Sequence, residues 1–179
     1  MRGKIAILCV LALGLLAGCG KEGLKQIVAD TTYSYSQMYA DTWQNLQGEA
    51  QTDTIYEFPN GIKYYKVKDG LITLKEVKTQ TEEICTEEFA KEEFYENLLE
   101  SETPLLFDDY GELYVCEAEM PGLCIGEIKK VEIIEDNEEY IHAEILGEDF
   151  ILGEVYTDIV IVKENGVWKI DSLKSDIKE

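Results

Sequence analysis

The stretch Val155-Tyr-Thr-Asp-Ile-Val-Ile-Val-Lys163, continued by Glu164-Asn165-Gly166 and Val167-Trp168-Lys169-Ile170, decides the fold. Apolar residues recur at alternate positions of its first run, and such alternation is typical of a half-buried strand. An Asn-Gly pair between two strand-like runs favours a tight hairpin turn. The chain is therefore predicted to end in an antiparallel hairpin.

Two more strand-like runs precede this hairpin. They span 128–134 and 140–146, and their connections, Asp136-Asn137-Glu138 and Gly147-Glu148-Asp149, are short and polar. Strands joined in sequence by short turns pair antiparallel. The C-terminal part is therefore predicted to be a four-stranded β-meander.

Helical patterns come earlier in the chain. Range 24–46 carries apolar and aromatic residues at roughly helical spacing. Thr73 and Glu76 match a capping box that begins a helix, and Thr86 is a second N-cap before a helical run. Helices followed by strands indicate an α+β fold, in which N-terminal helices pack on a curved antiparallel sheet.

Two further hairpins are predicted between these elements. Pro59-Asn60-Gly61 separates strand-like runs at 54–58 and 62–67, and the segment Asp108–Glu112 separates runs at 105–107 and 113–115.

The N-terminus carries an export signal. Basic residues precede the apolar run Ile5–Leu16, whose 12 residues are too few to span a bilayer. Leu16-Ala17-Gly18-Cys19 follows, which resembles the lipobox of bacterial lipoproteins. The resemblance implies cleavage before Cys19 and lipidation of its thiol. We therefore expect anchoring on the extracytoplasmic face of the cell membrane.

These features predict three segments. Residues 1–18 form the signal peptide, 19–23 the lipidated cysteine with a short flexible tether, and 24–179 a single α+β domain. In a Gram-positive cell, so short a tether would hold the domain in the inner zone of the wall.

The domain is strongly acidic. The full chain has a formal charge of −21, and removal of Arg2 and Lys4 with the signal peptide lowers it to −23. Nucleic acid is excluded as a partner because phosphate binding requires the opposite charge. An anionic membrane surface would also be repelled, so contact with the membrane is expected through the lipid anchor only. A basic protein would be attracted.

The acid is concentrated between Glu82 and Glu119, where 14 acidic residues accompany one base, Lys91. Most of this charge is expected to be a solvated face. A more specific hypothesis makes part of it complementary to a cationic protein. The candidate partner-binding residues are Asp108, Asp109, Glu112, Glu117, Glu119 and Met120.

Three cysteines remain in the mature domain besides Cys19. Cys116 and Cys124 bracket a loop with a Pro-Gly turn signal and are a candidate disulfide. The alternative is that both, like Cys85, are buried thiols acting as small apolar side chains. The sequence leaves the redox state open.

Catalytic and metal-binding motifs are not recognisable. A cysteine nucleophile needs a histidine partner and a zinc site needs several ligands, whereas His142 is the single histidine. No cofactor is expected, and a binding or inhibitory role is favoured over an enzyme. An acid–base site built from Asp108, Asp109, Tyr110 and Tyr114 remains a minor alternative.

A family resemblance follows from three stretches. They are Lys63-Tyr64-Tyr65-Lys66-Val67, the Thr86–Leu99 helix with the hairpin Asp109-Tyr110-Gly111-Glu112-Leu113-Tyr114, and the ending Val162–Asp171. Their order resembles the IseA-type inhibitors of cell-wall D,L-endopeptidases. The ending also resembles nuclear-transport-factor-like and cystatin-like lipoprotein domains, which implies an alternative function, binding of a small apolar ligand in a sheet concavity.

The first resemblance implies that the chain restrains a basic autolysin catalytic domain by blocking its cleft. If this resemblance holds, the loop from Cys116 to Cys124, with Met120 and Pro121 at its tip, is a candidate for the segment that enters the cleft. A plain surface loop is the alternative.

Overall fold

The computed structural model describes residues 20–44, 46, 50–57, 61–69, 71–116, 125–149 and 153–176. Cys19 and the loop 117–124 lie outside these residues, and so do the predictions made for Cys124, Glu117, Glu119 and Met120. The described part confirms the α+β class, with helices packed on a curved antiparallel sheet and a C-terminal meander.

Three helices are described, two of which widen into π-type turns. In chain order they are α1 (Lys21–Met38) with a π segment (Tyr39–Gln44), α2 (Leu74–Ile84), and α3 (Glu87–Ala90) with a π segment (Lys91–Leu99).

The strands form two four-stranded sheets where the sequence suggested one. The first has the order β1-β2-β4-β3 and the second the order β5-β6-β7-β8. Their bounds are β1 (Ala50–Glu57), β2 (Lys63–Val67), β3 (Leu106–Asp109), β4 (Glu112–Cys116), β5 (Ile125–Asp136), β6 (Tyr140–Asp149), β7 (Gly153–Glu164) and β8 (Val167–Asp176).

Helix α1 begins at Lys21, three residues before the predicted start at Leu24. Gly20 is its N-cap, and the Gly23 N–H donates to the Gly20 carbonyl at 2.8 Å. Glu22 lies in the first turn, where negative charge suits the helix dipole, and pairs with Lys25 at 2.7 Å. Helix α1 therefore includes residues 21–23, which were predicted to belong to the tether.

The starts of α2 and α3 agree with the predicted caps. The Thr73 hydroxyl accepts from the Glu76 N–H at 3.2 Å, while the Glu76 carboxylate accepts from the Thr73 N–H at 2.8 Å. The Thr86 hydroxyl accepts from the Phe89 N–H at 3.2 Å.

Helix α1 lies against the inner face of the second sheet. It contacts both edge strands, β5 and β8, so the sheet curves around it. The buried isoleucines of the meander face the helices: Ile141, Ile145, Ile159, Ile161 and Ile170.

Gly147 was predicted to lie in a turn, yet β6 continues through it to Asp149. A Cβ atom built on Gly147 would lie 2.6 Å from Ile125 Cγ2 and 3.3 Å from the Glu127 carbonyl oxygen. Glycine at this position allows β5 to approach β6 closely, and the connection from β6 to β7 begins only after Asp149.

Strand β5 is an edge strand with an irregular ladder. Its pairing with β6 shifts register at three places, between Ile125 and Glu127, between Ile128 and Lys130, and between Ile133 and Glu135. Among the described residues, no strand pairs with its outer edge.

Candidate functional site

One face of the first sheet carries a cluster of aromatic rings that forms a second, smaller core. We call it the aromatic face; its members are Tyr56, Tyr64, Phe107 and Tyr114. Phe107 and Tyr114 stack with centroids 5.0 Å apart and planes 8° apart, and Tyr56 meets both edge-on at 5.5 and 6.2 Å.

Strand register places these rings together. Tyr64 pairs with Tyr56 on one side and with Cys116 on the other, and Phe107 pairs with Tyr114. Since successive side chains point to opposite faces, the intervening residues turn inward. These are buried core residues: Val67, Leu106, Leu113 and Val115.

Exposure differs across the aromatic face. Tyr64 is fully buried and Tyr114 is 8% exposed, whereas Tyr56 is 45% exposed. Tyr64 and Tyr114 therefore support the face, and Tyr56 is the ring most accessible to a partner.

The β3–β4 turn extends this surface. Tyr110 and Gly111 both have positive φ, 54° and 86°, and the Tyr110 side chain is fully exposed. The Asp108 carboxylate accepts the Gly111 N–H at 3.0 Å, which holds the turn in shape. A tyrosine in left-handed backbone at a solvated tip is an unusual use of that residue.

Glu112 is bound within the sheet. Its Oε1 lies 2.6 Å from Lys66 Nζ, which also lies 2.8 Å from Asp69 Oδ1. Hydrogen bonds to Asp69 first and Glu112 second raise the pKa of Lys66. The Tyr114 hydroxyl donates to Glu112 Oε2 at 3.3 Å, and burial together with this carboxylate raises the pKa of Tyr114.

The predicted partner-binding carboxylates of this hairpin therefore differ in availability. Asp108 is bonded to the turn backbone and Glu112 to Lys66. Asp109 forms no ion pair within the described part of the chain, and it lies beside Glu112 across the ladder. Asp109 is half-buried, so part of its carboxylate can still meet a cation from outside.

The hairpin does not assemble the predicted acid–base set. Asp108 and Asp109 are consecutive strand residues and project to opposite faces. The Tyr110 side chain stands in solvent, and the Tyr114 hydroxyl is bonded to Glu112.

Apart from the exposed Tyr33, the aromatic residues of α1 and its π segment lie elsewhere, in the core. Trp43 stacks on Phe94 with centroids 5.1 Å apart, and Tyr35 and Tyr39 contact the same ring at 6.2 Å. These side chains belong to the main core, together with the inward isoleucines of the second sheet.

The cysteines and the histidine have structural surroundings. Cys85 and Cys116 are buried, and the candidate bridge to Cys124 falls outside the described residues. His142 lies on the outer face of the second sheet with Nε2 2.8 Å from Asp158 Oδ2. Within the described ranges, no cluster of His, Cys, Asp and Glu is arranged to hold a metal ion.

Tyr56, Tyr64 and Phe107 were missed as site residues. Their signal was present: each predicted hairpin fixes which strand positions share a face, and the tyrosines and Phe107 fall on the same side as Asp109 and Glu112. The pairing of β2 with β4, which unites the two hairpins, has no local sequence signal.

No protein-family model matches the chain, and no curated protein matches it either. Among the described helices, none is long and apolar enough to cross a membrane.

Proposed function

We propose that the protein is an extracytoplasmic lipoprotein, anchored to the membrane through Cys19, that binds and inhibits a cell-wall D,L-endopeptidase. The aromatic face with the Tyr110 turn is its docking surface. The proposal is carried by one observation: the first sheet presents Tyr56 at 45% exposure, the fully exposed Tyr110 and the half-buried Asp109.

The chemistry of this surface suits a basic protein. Tyrosine is enriched in protein interfaces because its large ring loses little conformational freedom on binding. An aromatic ring also attracts Lys and Arg side chains, and Asp109 offers them a carboxylate. A cationic rim around a peptidase cleft would satisfy both groups.

The overall charge favours fast association. The mature domain has a formal charge of −23 after loss of the two N-terminal bases, so a basic partner is attracted over several ångströms. This contribution weakens with salt, because the Debye length is about 8 Å at physiological ionic strength.

The target class comes from the resemblance to IseA-type inhibitors, which rests on β2, on α3 with the β3–β4 hairpin, and on the ending Val162–Asp171. The first two of these stretches form and flank the aromatic face, since β2 pairs with β4 and the π segment of α3 contacts β3. Inhibition would follow if the Tyr110 turn entered or covered the peptidase cleft.

The test is inhibition of purified D,L-endopeptidases by the mature domain carrying Cys19→Ala. The domain with its wild-type aromatic face should slow the digestion of peptidoglycan by these enzymes. The double variant Tyr56→Ala/Tyr110→Ala should weaken inhibition about tenfold or more, since buried aromatic anchors each contribute at least about 1 kcal/mol. Asp109→Lys should weaken it further and flatten its salt dependence.

Tyr33→Ala is the matched control. Tyr33 lies on α1 and is 51% exposed, close to the 45% of Tyr56, so the control variant removes a similarly accessible tyrosine from another surface. Equal inhibition by wild type, the double variant and the control would reject the aromatic face. Replacing Glu117, Glu119 and Met120 together tests the neighbouring loop in the same assay.

A further inference from the structure

The N-terminus of α1, which follows the proposed lipid anchor, and the first sheet lie toward opposite ends of the described fold. We infer that the anchored domain stands on the bilayer in one preferred orientation, with the β5–β6 end of the second sheet nearest the membrane and the aromatic face directed away from it. This inference rests on the lipid anchor of the proposed function.

The first step is the short connection between the proposed lipid anchor and helix α1. Gly20, the residue next to Cys19, already caps α1, and the Gly23 N–H donates to its carbonyl. One residue therefore separates the lipid from a rigid helix. An anchor this short transmits the membrane position directly to the helix N-terminus.

The second step is the direction of α1 across the sheet. Ser36, near the C-terminal end of α1, accepts the N–H of Ile125, the first residue of β5, at 3.2 Å. Helix α1 packs along β5, and Ile125 is the first residue of that strand, so the N-terminal part of α1 lies along later residues of β5. Helix and strand therefore run antiparallel, and a small effect of the Lys25 charge in lowering the pKa of Glu132, after the main effect of Lys130, agrees with this direction.

The N-terminus of α1 consequently shares an end of the molecule with the close of β5. The β5–β6 turn follows there, tied by the bond from the Asn137 N–H to the Tyr140 carbonyl at 2.8 Å. His142 pairs with Glu135 at this end of the sheet.

The third step is the position of the first sheet. Trp43, beyond the end of α1, stacks on Phe94 in the π segment of α3. That segment leads to β3, where the Leu105 N–H donates to the Leu98 carbonyl at 2.7 Å. The first sheet thus joins the body at the end remote from Lys21, about 27 Å away at 1.5 Å per residue of an 18-residue helix.

Charge opposes the alternative of lying flat. Exposed carboxylates cover the helices and the outer strands, and an anionic leaflet repels them. An upright domain brings only one end close to that repulsion, namely the β5–β6 end, whose own exposed acids (Glu135, Asp136, Glu138 and Glu139) keep it off the headgroups. The lipid fixes which end it is.

Two natural reporters test the orientation without new cysteines. His142 is the single histidine and lies near the proposed membrane end, whereas Trp43 lies at the far end. The lipidated protein would be placed in nanodiscs containing a headgroup-linked gadolinium chelate, and the relaxation of the His142 ring and Trp43 indole resonances measured. Trp168→Phe assigns the two indole signals.

We expect the enhancement at His142 to exceed that at Trp43 several-fold. A Gly/Ser insertion of about ten residues between Gly20 and Lys21, spanning about 17 Å, should bring the two values together. Equal enhancement without the insertion, or a larger effect at Trp43, would overturn the inference.

Mass spectrometry of the same sample separates this result from the proposed function. An unmodified Cys19 sulfur rejects the anchor, and the orientation with it. A lipidated chain with the wrong relaxation pattern rejects the orientation alone. Neither outcome depends on peptidase inhibition.

Discussion

The hydroxyl of Tyr95 lies 2.8 Å from the Glu82 carboxylate and 3.2 Å from the Lys78 carbonyl, which joins α3 to α2. Lys78 Nζ covers the same ring at 4.4 Å from its centroid. Burial, followed by the bond to Glu82, raises the pKa of Tyr95, so the hydroxyl stays protonated as a donor at ordinary pH.

Tyr95→Phe should destabilise the domain by about 1–2 kcal/mol, because the variant loses this hydrogen bond and leaves Glu82 with one partner fewer. Urea unfolding followed by far-UV circular dichroism measures the change. Tyr33→Phe, at an exposed position of α1, should change stability by less than about 0.5 kcal/mol. Equal losses in both variants would count against a structural role for the Tyr95 hydroxyl.

The capping box of α2 predicts a pH-dependent mutational effect. The pKa of Glu76 is lowered by bonds from the Thr73 backbone and then from its hydroxyl. A lowered folded-state pKa means that the contribution to stability is present at neutral pH and is lost as acid protonates Glu76. Thr73→Ala should cost about 1 kcal/mol near pH 7.

As acid protonates Glu76 below its lowered folded-state pKa, the cost of Thr73→Ala should become smaller, because the carboxylate loses the charge that the cap stabilises. Thr79→Ala is the control, since Thr79 lies in the same helix and bonds only to the Lys75 carbonyl. A Thr73→Ala cost that stays constant from neutral to acidic pH would refute the reciprocal cap.

Gly147→Ala tests the close contact between β5 and β6. The added methyl group would overlap Ile125 Cγ2 at 2.6 Å, and overpacking of this kind costs about 1–3 kcal/mol. In an Ile125→Ala background the same substitution should cost less, because the overlapping atom is gone. The double-mutant cycle therefore predicts coupling of about 1 kcal/mol or more. Additive effects would show that the Glu127 backbone, not Ile125, limits the space.

Cys85 should be unreactive in the folded protein. It is fully buried, and burial raises the pKa of its thiol to about 12, against a smaller lowering effect of Lys169. Since the thiolate is the reactive species, alkylation at about pH 8 should be negligible in native buffer and rapid in denaturant. Peptide mapping of the alkylated protein would locate the label, and fast native labelling of Cys85 would contradict its burial.

Local sequence signals predicted the turns and helix caps, which depend on residues close together in the sequence. Asn165 and Gly166 form the last turn with φ of 53° and 83°, and Thr73 and Thr86 cap their helices as expected. In each case the required residue lies within a few positions of the structure it determines.

Long-range relationships were not predictable in this way. The parallel bridge between Cys85 and Ile170, reinforced by the bond from the Thr86 N–H to the Ile170 carbonyl at 2.8 Å, joins segments far apart in sequence. The separation into two sheets depends on such pairings. The π-type turns after Met38 and Ala90 likewise occur where Trp43 and Phe94 pack together, which neither segment specifies alone.

For the same reason, the sequence predicted only part of the candidate site. Asp108, Asp109 and Glu112 were identified from their hairpin, but their different roles depend on Lys66 and on side-chain parity across β2 and β4. The aromatic face required the pairing of two hairpins that are separated by α2 and α3.

The irregular ladder of β5 has a consequence for the protein at high concentration. A straight, unpaired strand would act as a template on which neighbouring copies pair into fibrils. Three register shifts along β5, together with the charges of Lys129 and Lys130, bend and charge this edge strand, so that it offers a second chain no regular row of donors and acceptors. Copies can therefore be concentrated without β5 becoming a seed for aggregation.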